Sequence, residues 1–169
     1  MDIRIEVGNF EDAAVVRRAV FMDEQGYEDE FEPLDDDPRC LHVTLYADGE
    51  LAACGRTFPE ALEHELTPNK PQSPACALDS LARLGEIYIM GRVAVLPAFR
   101  RRGLATRVIE ACDAAAREHG AKLMKLHAQK YVQGLYGACG YEDISPVDYE
   151  DEGQPHLWMA KALVCPRPL

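Results

Sequence analysis

One segment constrains the fold and chemistry of this chain more than any other: an apolar strand that runs into a basic turn and then a helix. Residues 87–95 are rich in β-branched side chains and predict a buried strand, which Pro97 ends. Three arginines follow, and Gly103 opens a helix predicted to reach His119. The first amide N–H groups of a helix lack internal acceptors, and the helix dipole favours anions there. The segment therefore predicts a cradle for phosphate or pyrophosphate.

The composition of this turn supports that prediction and separates it from two common phosphate loops. Gly103 lets a ligand approach the backbone, small Ala105 keeps the approach open, and arginines add charged contacts to phosphate oxygens. The turn lacks the Gly-Lys-Ser/Thr ending of a Walker A loop and the three glycines of a dinucleotide fingerprint. An exposed basic helix start without a ligand is the alternative interpretation.

The rest of the chain predicts one α/β (α+β) domain with a mixed sheet and flanking helices. A length of 169 residues fits a single domain, residues 1–169. Residues 59–84 carry four prolines and read as an insertion, since prolines at this density break regular structure. Such a long loop is usually functional or disordered. The other predicted elements are strands at 3–7, 40–47, 50–58, 122–128, 141–144 and 156–163, and helices at 9–22 and 130–139.

Charge limits the partners of the chain. The net charge is 18 − 29 = −11, so general binding to nucleic acid or to an anionic membrane is disfavoured. Residues 23–37 hold nine carboxylates and no base. They are either solvated loop residues or an acidic mouth that attracts a cationic substrate.

The cysteines and the N-terminus indicate a compartment. The chain has six cysteines and none forms a Cys-x-x-Cys pair, so we expect no metal site and reduced thiols. No apolar run approaches the roughly 20 residues that span a bilayer, and the first residues do not resemble a signal peptide. A cytoplasmic location is the expectation.

The spacing Arg100-x-x-Gly103-x-Ala105 after Val93-Ala94-Val95 resembles the (Arg/Gln)-x-x-Gly-x-(Gly/Ala) motif of the GNAT N-acetyltransferases. The resemblance implies a mostly antiparallel GNAT sheet and acetyl-coenzyme A as cosubstrate, with no metal. It also implies that the strand backbone holds the pantetheine arm and that the turn amides hold the pyrophosphate. The residues expected to bind the cosubstrate are Val93, Ala94, Val95, Arg100, Arg101, Arg102, Gly103, Leu104, Ala105, Thr106, Gln129 and Tyr136.

A second motif lies at the distance the family requires. Residues 135–141 resemble the family element Phe-Tyr-Glu-Lys-x-Gly-Phe, with departures at the first, third and fourth positions. The family tyrosine falls on Tyr136 and implies a hydrogen bond to the departing sulfur. Gln129 stands seven residues earlier, where the family often has an asparagine that contacts the coenzyme. A half-buried aromatic residue is the structural alternative for Tyr136.

Four further parts of the chain resemble the ElaA-like subgroup: residues 20–26, His42 after an acidic stretch, residues 126–129 and residues 156–159. The resemblance covers most of the chain except residues 59–84. The base that many relatives carry on the fourth strand is absent, because Ile89 stands there. Glu24, just beyond the first helix, is the first candidate for an acceptor-side base, and His156 is the second. His127 is interpreted as a sheet residue, and a water chain is a further route for the proton.

The resemblance implies acetyl transfer to a primary amine by direct attack. The carboxylates of residues 23–37 favour a small acceptor that is cationic at neutral pH. A non-catalytic module that binds acyl-coenzyme A, as a sensor or interaction domain, is the alternative from another class. Nucleic-acid binding through residues 100–107 is disfavoured by the net charge of −11. The sequence does not name the amine, and it leaves a homodimer open.

Overall fold

A mostly antiparallel sheet organises the protein, whose computed structural model describes residues 1–164. Its strands lie in the order β1-β2-β3-β4-β5-β8-β6, and β7 pairs with β8. Neighbours are antiparallel except for β4 and β5, which are parallel. This confirms the predicted fold class. The strands are β1 Ile3–Val7, β2 Leu41–Ala47, β3 Glu50–Pro59, β4 Ile87–Val95, β5 Leu123–Gln129, β6 Glu142–Asp143, β7 Asp148–Asp151 and β8 Gln154–Ala162.

One face of the sheet is covered by the helix that follows the basic turn. The helix places Val108, Ile109 and Cys112 in the main core against β2, β3 and β4. Its approach to β3 is close, because a Cβ atom on Gly55 would lie 2.8 Å from the Val108 side chain. Only glycine fits this contact without movement. The α-helices are α1 Phe10–Arg17, α2 Ala61–Leu66, α3 Leu104–Glu118 and α4 Gln133–Ala138.

The first helix begins as predicted and continues differently. The Asn9 side chain accepts a hydrogen bond from the Asp12 amide, which caps α1. The chain then continues as a π-helical segment, Arg18–Glu24, instead of an α-helix to about Met22. Wider π-helical turns are frequent at functional sites.

The proline-rich stretch is ordered, which corrects the expectation of a loop. It contains α2 and a 3₁₀ turn, Ala77–Leu81, and both lie on the sheet face opposite α3. Leu62 is fully buried in a cluster that includes Ile89 and Trp158. The buried Lys125 ammonium reaches Glu60 at 3.0 Å, Asp79 at 2.9 Å and the Pro74 carbonyl at 2.8 Å. This lysine ties the two ends of the segment to β5.

The acidic stretch near the C-terminus contains a strand that the sequence pattern does not show. β7 forms a hairpin with β8 in which Asp148 pairs with His156. β6 is shorter than predicted, since it holds only Glu142 and Asp143. Among residues 1–164, no helix combines the length and apolar character needed to cross a membrane.

Candidate active site

The site begins where β4 and β5 separate. The two strands pair only from Ile87 to Met90 on β4, yet β4 runs on to Val95 and β5 to Gln129. A cavity of about 750 Å³ opens at this fork. Beyond Met90, the edge of β4 that faces the fork has no strand partner within residues 1–164. Such an edge presents backbone hydrogen-bonding groups to a ligand.

A β-bulge lies at the fork. Arg56 pairs with Gly91 and Cys54 pairs with Ala94, so Arg92 and Val93 together face the single residue between them on β3. Arg92 has a φ of +54°, which is the left-handed region. A bulge takes backbone groups out of the regular ladder and re-aims them. The bulged backbone of β4 lies in the cavity wall.

The turn predicted to bind phosphate lies at the end of the fork, in the cavity wall. Gly103 has a φ of +73° and caps α3, and no side chain caps the helix N-terminus. A Cβ atom built on Gly103 would have nothing within 4 Å, so the turn faces open space. The first amides of a 15-residue helix are thus directed toward the cavity.

Twelve of the thirteen residues expected at the site line this one cavity. Arg102 is the exception, and its role as a cosubstrate ligand stays a prediction. Its guanidinium lies 5.6 Å from the Phe99 ring centroid and not in the cavity wall. The twelve are Glu24, Val93, Ala94, Val95, Arg100, Arg101, Gly103, Leu104, Ala105, Thr106, Gln129 and Tyr136.

Tyr136 reaches the cavity from α4. Its side chain is 8% exposed and its ring lies 6.0 Å from that of Tyr141, edge to face. Burial raises the pKa of Tyr136 well above its ordinary value. The phenol therefore stays protonated at all physiological pH values, so its hydroxyl can donate a hydrogen bond into the cavity.

Glu24 is not a free carboxylate. Both of its oxygens accept hydrogen bonds from Arg100, at 2.7 and 2.5 Å. The bond from Arg100 holds the pKa of Glu24 below its ordinary value. Arg100 also donates to the Val95 carbonyl at 3.0 Å, and Gln25 accepts from Gln129 at 3.3 Å. Glu24 thus bridges the segment after α1 to the basic turn, an arrangement unfavourable for the predicted base.

The opposite wall of the cavity is aromatic. His127 stacks on Trp158 with ring centroids 4.6 Å apart and packs against His156 at 4.8 Å. The Nε2 atom of His127 lies 3.0 and 3.1 Å from the two oxygens of Asp148. His156 is buried, and its Nδ1 donates to the Gln154 carbonyl at 2.8 Å.

Only some of the carboxylates in residues 23–37 are exposed to solvent. Three of them turn inward and pair with three arginines on α1, β3 and β4. Asp35 accepts from Arg17 at 2.8 Å and from Arg56 at 2.7 Å. The buried pairs are Arg17–Asp35, Arg17–Glu30, Arg56–Asp35, Arg56–Glu32, Arg92–Glu30 and Arg92–Glu32.

A group with potential metal ligands lies within this network. Asp35, Cys40 and His42 each place one ligand atom within 4.8 Å of the others. The carboxylate of Asp35 is already engaged by two guanidinium groups. Burial raises the pKa of the Cys40 thiol to about 12. The group is therefore better suited to structure than to a cation.

Comparison with known proteins settles the family. The profile of the Acetyltransferase (GNAT) family matches residues 10–141.

The chain belongs to the GNAT acetyltransferase family.

Its relatives agree with this assignment. A Bacillus subtilis (strain 168) protein named as an acetyltransferase is 28% identical over 151 residues, which cover 86% of this chain and 84% of that protein. The crystal structure of Escherichia coli ElaA has the same fold, with a TM-score of 0.70 and 22% identity over 95% of this chain and 99% of that one. An aminoglycoside 6′-N-acetyltransferase complexed with coenzyme A gives a TM-score of 0.66 at 15% identity, with complete coverage of both chains.

Among the residues that sequence reasoning missed, two form hydrogen bonds at this GNAT cavity or beside it. Glu63 on α2 is buried and lines the cavity, and its Oε2 accepts hydrogen bonds from the Ser73 amide at 3.1 Å and hydroxyl at 3.0 Å. Burial raises the pKa of Glu63 to about 7. Asp148 is the second: it does not line the cavity, but it is the hydrogen-bond partner of His127, which does. Neither carries a sequence signal, because each lies in a run of prolines or carboxylates.

The raised pKa of Glu63 has a consequence for stability. The folded state holds this proton up to about pH 7, whereas the unfolded chain releases it near 4.5, so stability falls as pH rises through this window. Glu63→Gln removes the free-energy cost of ionising this buried carboxyl in the folded state. We therefore expect it to stabilise the protein at pH 8 by up to about 3 kcal/mol. At pH 5 the difference should nearly vanish.

Urea unfolding at both pH values measures this difference. Glu65→Gln is the matched control, because Glu65 lies in the same segment with half of its side chain exposed. Its effect should stay within about 1 kcal/mol at either pH. A Glu63 variant that is equally stable relative to wild type at pH 5 and pH 8 would contradict the assignment.

Proposed function

We propose that this protein transfers an acetyl group from acetyl-coenzyme A to the primary amine of a small molecule, by direct attack within a ternary complex. One observation carries the proposal. The unpaired edge of β4 leads directly to the uncapped N-terminus of α3, and both line one cavity. An extended arm that ends in a pyrophosphate has the shape and charge to occupy this path.

The cosubstrate fits these residues in two parts. The backbone of Val93 and Val95 would hold the pantetheine arm in the manner of an added strand. The amides from Gly103 to Thr106 would hold the pyrophosphate, with the Arg101 side chain adding positive charge. A main-chain N–H at the β4 bulge would polarise the thioester carbonyl.

The leaving group is the thiolate of coenzyme A. Tyr136 would donate a hydrogen bond to the sulfur as the C–S bond breaks. Because burial raises the pKa of Tyr136, complete transfer of its proton to a thiolate is unfavourable, and its contribution is hydrogen bonding. This refines the role expected from the motif.

The acceptor would enter from the face of the sheet opposite α3. Asp29, Asp151 and Glu152 line that part of the cavity, and none of them forms an ion pair with a lysine or arginine among residues 1–164. Carboxylates that lack a cationic partner attract a substrate that is cationic at neutral pH. An ammonium group must lose its proton before attack, so a base or a water must receive it.

A non-catalytic acyl-coenzyme A sensor is the second candidate. The hydroxyl of Tyr136 in the cavity favours the enzyme, since a sensor needs no donor at the sulfur. Thiol release from acetyl-coenzyme A, measured with a pooled panel of primary amines, separates the two. We expect release that depends on both protein and amine. Binding of coenzyme A without release for any amine would support the sensor.

The phosphate cradle leads to a binding prediction. Gly103→Glu places bulk and negative charge where the pyrophosphate would lie, and it forces a non-glycine residue to a φ of +73°. We expect the affinity for coenzyme A to fall by well over tenfold, which is about 1.4 kcal/mol or more. Isothermal titration calorimetry measures this loss.

Gly103→Asn is the matched control, because asparagine tolerates left-handed backbone and carries no charge. It should lose much less affinity than the glutamate variant. Unchanged affinity of a folded Gly103→Glu protein would contradict the cradle.

A further inference from the structure

We propose that His127, oriented by Asp148, is the general base that deprotonates the amine. The inference rests on the proposed acetyl transfer and assigns a residue to its missing step. Four observations carry it. They are the position of His127 at the fork, the fixed orientation of its ring, the hydrogen bond at its Nε2 atom, and the contacts that already occupy the other candidate bases.

His127 lies at the point where the two strands part. The last pair between β4 and β5 joins Met90 to Leu126, so His127 is the first residue of β5 beyond the pairing. Side chains alternate along a strand, and Leu126 lies in the core under α3. The side chain of His127 therefore lies on the acceptor side, next to the strand edge that would hold the thioester arm.

The ring of His127 is held in one orientation. It stacks on Trp158 at an interplanar angle of 17° and contacts His156 on the neighbouring strand. The side chain is 11% exposed, so it has contact with the cavity but little freedom to rotate. A base whose side chain is already held in position loses little conformational entropy when it reacts, which favours catalysis.

The hydrogen bond to Asp148 fixes the tautomer. A carboxylate only accepts, so Nε2 of His127 carries the hydrogen that it donates to Asp148. In the neutral ring Nδ1 then has the lone pair, and it makes no hydrogen bond to any residue between 1 and 164. This is the arrangement in which a carboxylate orients an imidazole base and stabilises the imidazolium that forms.

The other candidate bases are either paired with another side chain or lack a hydrogen bond that fixes the ring nitrogen facing a carboxylate. Glu24 is paired with Arg100, and Glu63 is held by Ser73. The Nε2 atom of His156 lies 3.9 Å from Asp151, which is too far for a hydrogen bond. Asp148 and His156 are the titratable groups in direct contact with His127. The titratable and charged residues that share its cavity are Glu24, Tyr27, Asp29, Glu30, Glu32, Arg56, Glu63, Lys70, Arg92, Arg100, Arg101, Tyr131, Tyr136, Asp151, Glu152 and His156.

The step balances as follows. The amine nitrogen attacks the thioester carbonyl carbon, the C–N bond forms and the C–S bond breaks. The ammonium gives one proton to Nδ1 of His127 before attack, directly or through one water, and the nitrogen gives its second proton to solvent once the C–N bond has formed. The sulfur leaves as thiolate with a hydrogen bond from Tyr136 and is protonated from solvent, and the imidazolium returns its proton to water. The products are the N-acetyl amine and coenzyme A.

The test has a spectroscopic arm that needs no activity. In the full-length protein, ¹⁵N–¹H NMR of the histidine rings should show His127 protonated at Nε2 and not at Nδ1 when neutral. Asp148→Asn should change the tautomer of neutral His127 and leave the tautomer of His119, which lies on the surface at the end of α3, unchanged. A neutral His127 protonated at Nδ1 would overturn the proposal.

The kinetic arm uses the amine that gives the most thiol release in the panel. His127→Gln should lower kcat/KM by about 100-fold or more and remove the rise of the rate with pH. Asp148→Asn should give a smaller loss with a shifted pH profile, and His119→Gln should match wild type. Coenzyme A affinity and Tm of each variant show that the site has folded.

The two proposals fail in different ways. No thiol release by wild type with any amine would reject acetyl transfer and, with it, the base. An active wild type whose pH profile is unchanged in His127→Gln would reject only the base. A profile that follows His156→Gln or Glu63→Gln instead would also reject His127.

Discussion

Replacing Tyr136 with phenylalanine should lower kcat by about 100-fold and leave KM for acetyl-coenzyme A nearly unchanged. The hydroxyl is expected to interact with the sulfur only as negative charge develops there, so its loss affects the transition state more than the bound substrate. Initial rates under conditions in which the chemical step limits turnover measure the effect.

Tyr141→Phe is the matched control for this variant. Tyr141 is also buried, but its hydroxyl donates to Asp113 at 2.5 Å and the residue does not line the cavity. We expect it to reduce stability and to leave kcat close to wild type. If Tyr136→Phe turns over like wild type, Tyr136 is a packing residue.

Asp35→Asn should lower the free energy of unfolding by about 3–5 kcal/mol, because it leaves two buried guanidinium groups without their shared carboxylate. The arginines hold the pKa of Asp35 well below its ordinary value of 3.8. Its contribution is therefore fully present above about pH 4 and is lost only as pH falls toward the folded-state value. Urea unfolding at pH 7 measures the loss.

The same substitution two residues later provides the control. Asp37 pairs with Arg39, whose side chain is 49% exposed. Asp37→Asn should lower the free energy of unfolding far less than Asp35→Asn does. Equal losses for the two variants would mean that the inward-facing ion pairs contribute no more than a surface pair.

The parts of the site that sequence reasoning predicted are those built from local patterns. The strand, the turn and the helix from Ile87 to Glu118 occur where the pattern places them, because strand propensity, proline and glycine act within a few residues. Tyr136 and Gln129 also line the predicted cavity. Arg102 does not, since a run of three arginines does not show which side chain faces inward.

The parts that were missed depend on contacts between distant residues. Lys125 orders the proline-rich stretch from 65 residues away, and Asp148 meets His127 only because β7 folds back on β8. The burial of Glu30, Glu32 and Asp35 requires arginines from three other elements. No short segment of the sequence contains both the carboxylates and their arginine partners. Local sequence patterns therefore predict that these carboxylates are solvated.

The fork between β4 and β5 also bears on how the protein avoids unwanted assembly. A bare strand edge on the outside of a sheet is a template for aggregation, because another chain can add to it. Here the bare edge is recessed between the basic turn, α4 and the bridge from Glu24 to Arg100. A polypeptide strand carries side chains on both of its faces, so a recess of this kind would favour a thin, extended ligand over another protein chain.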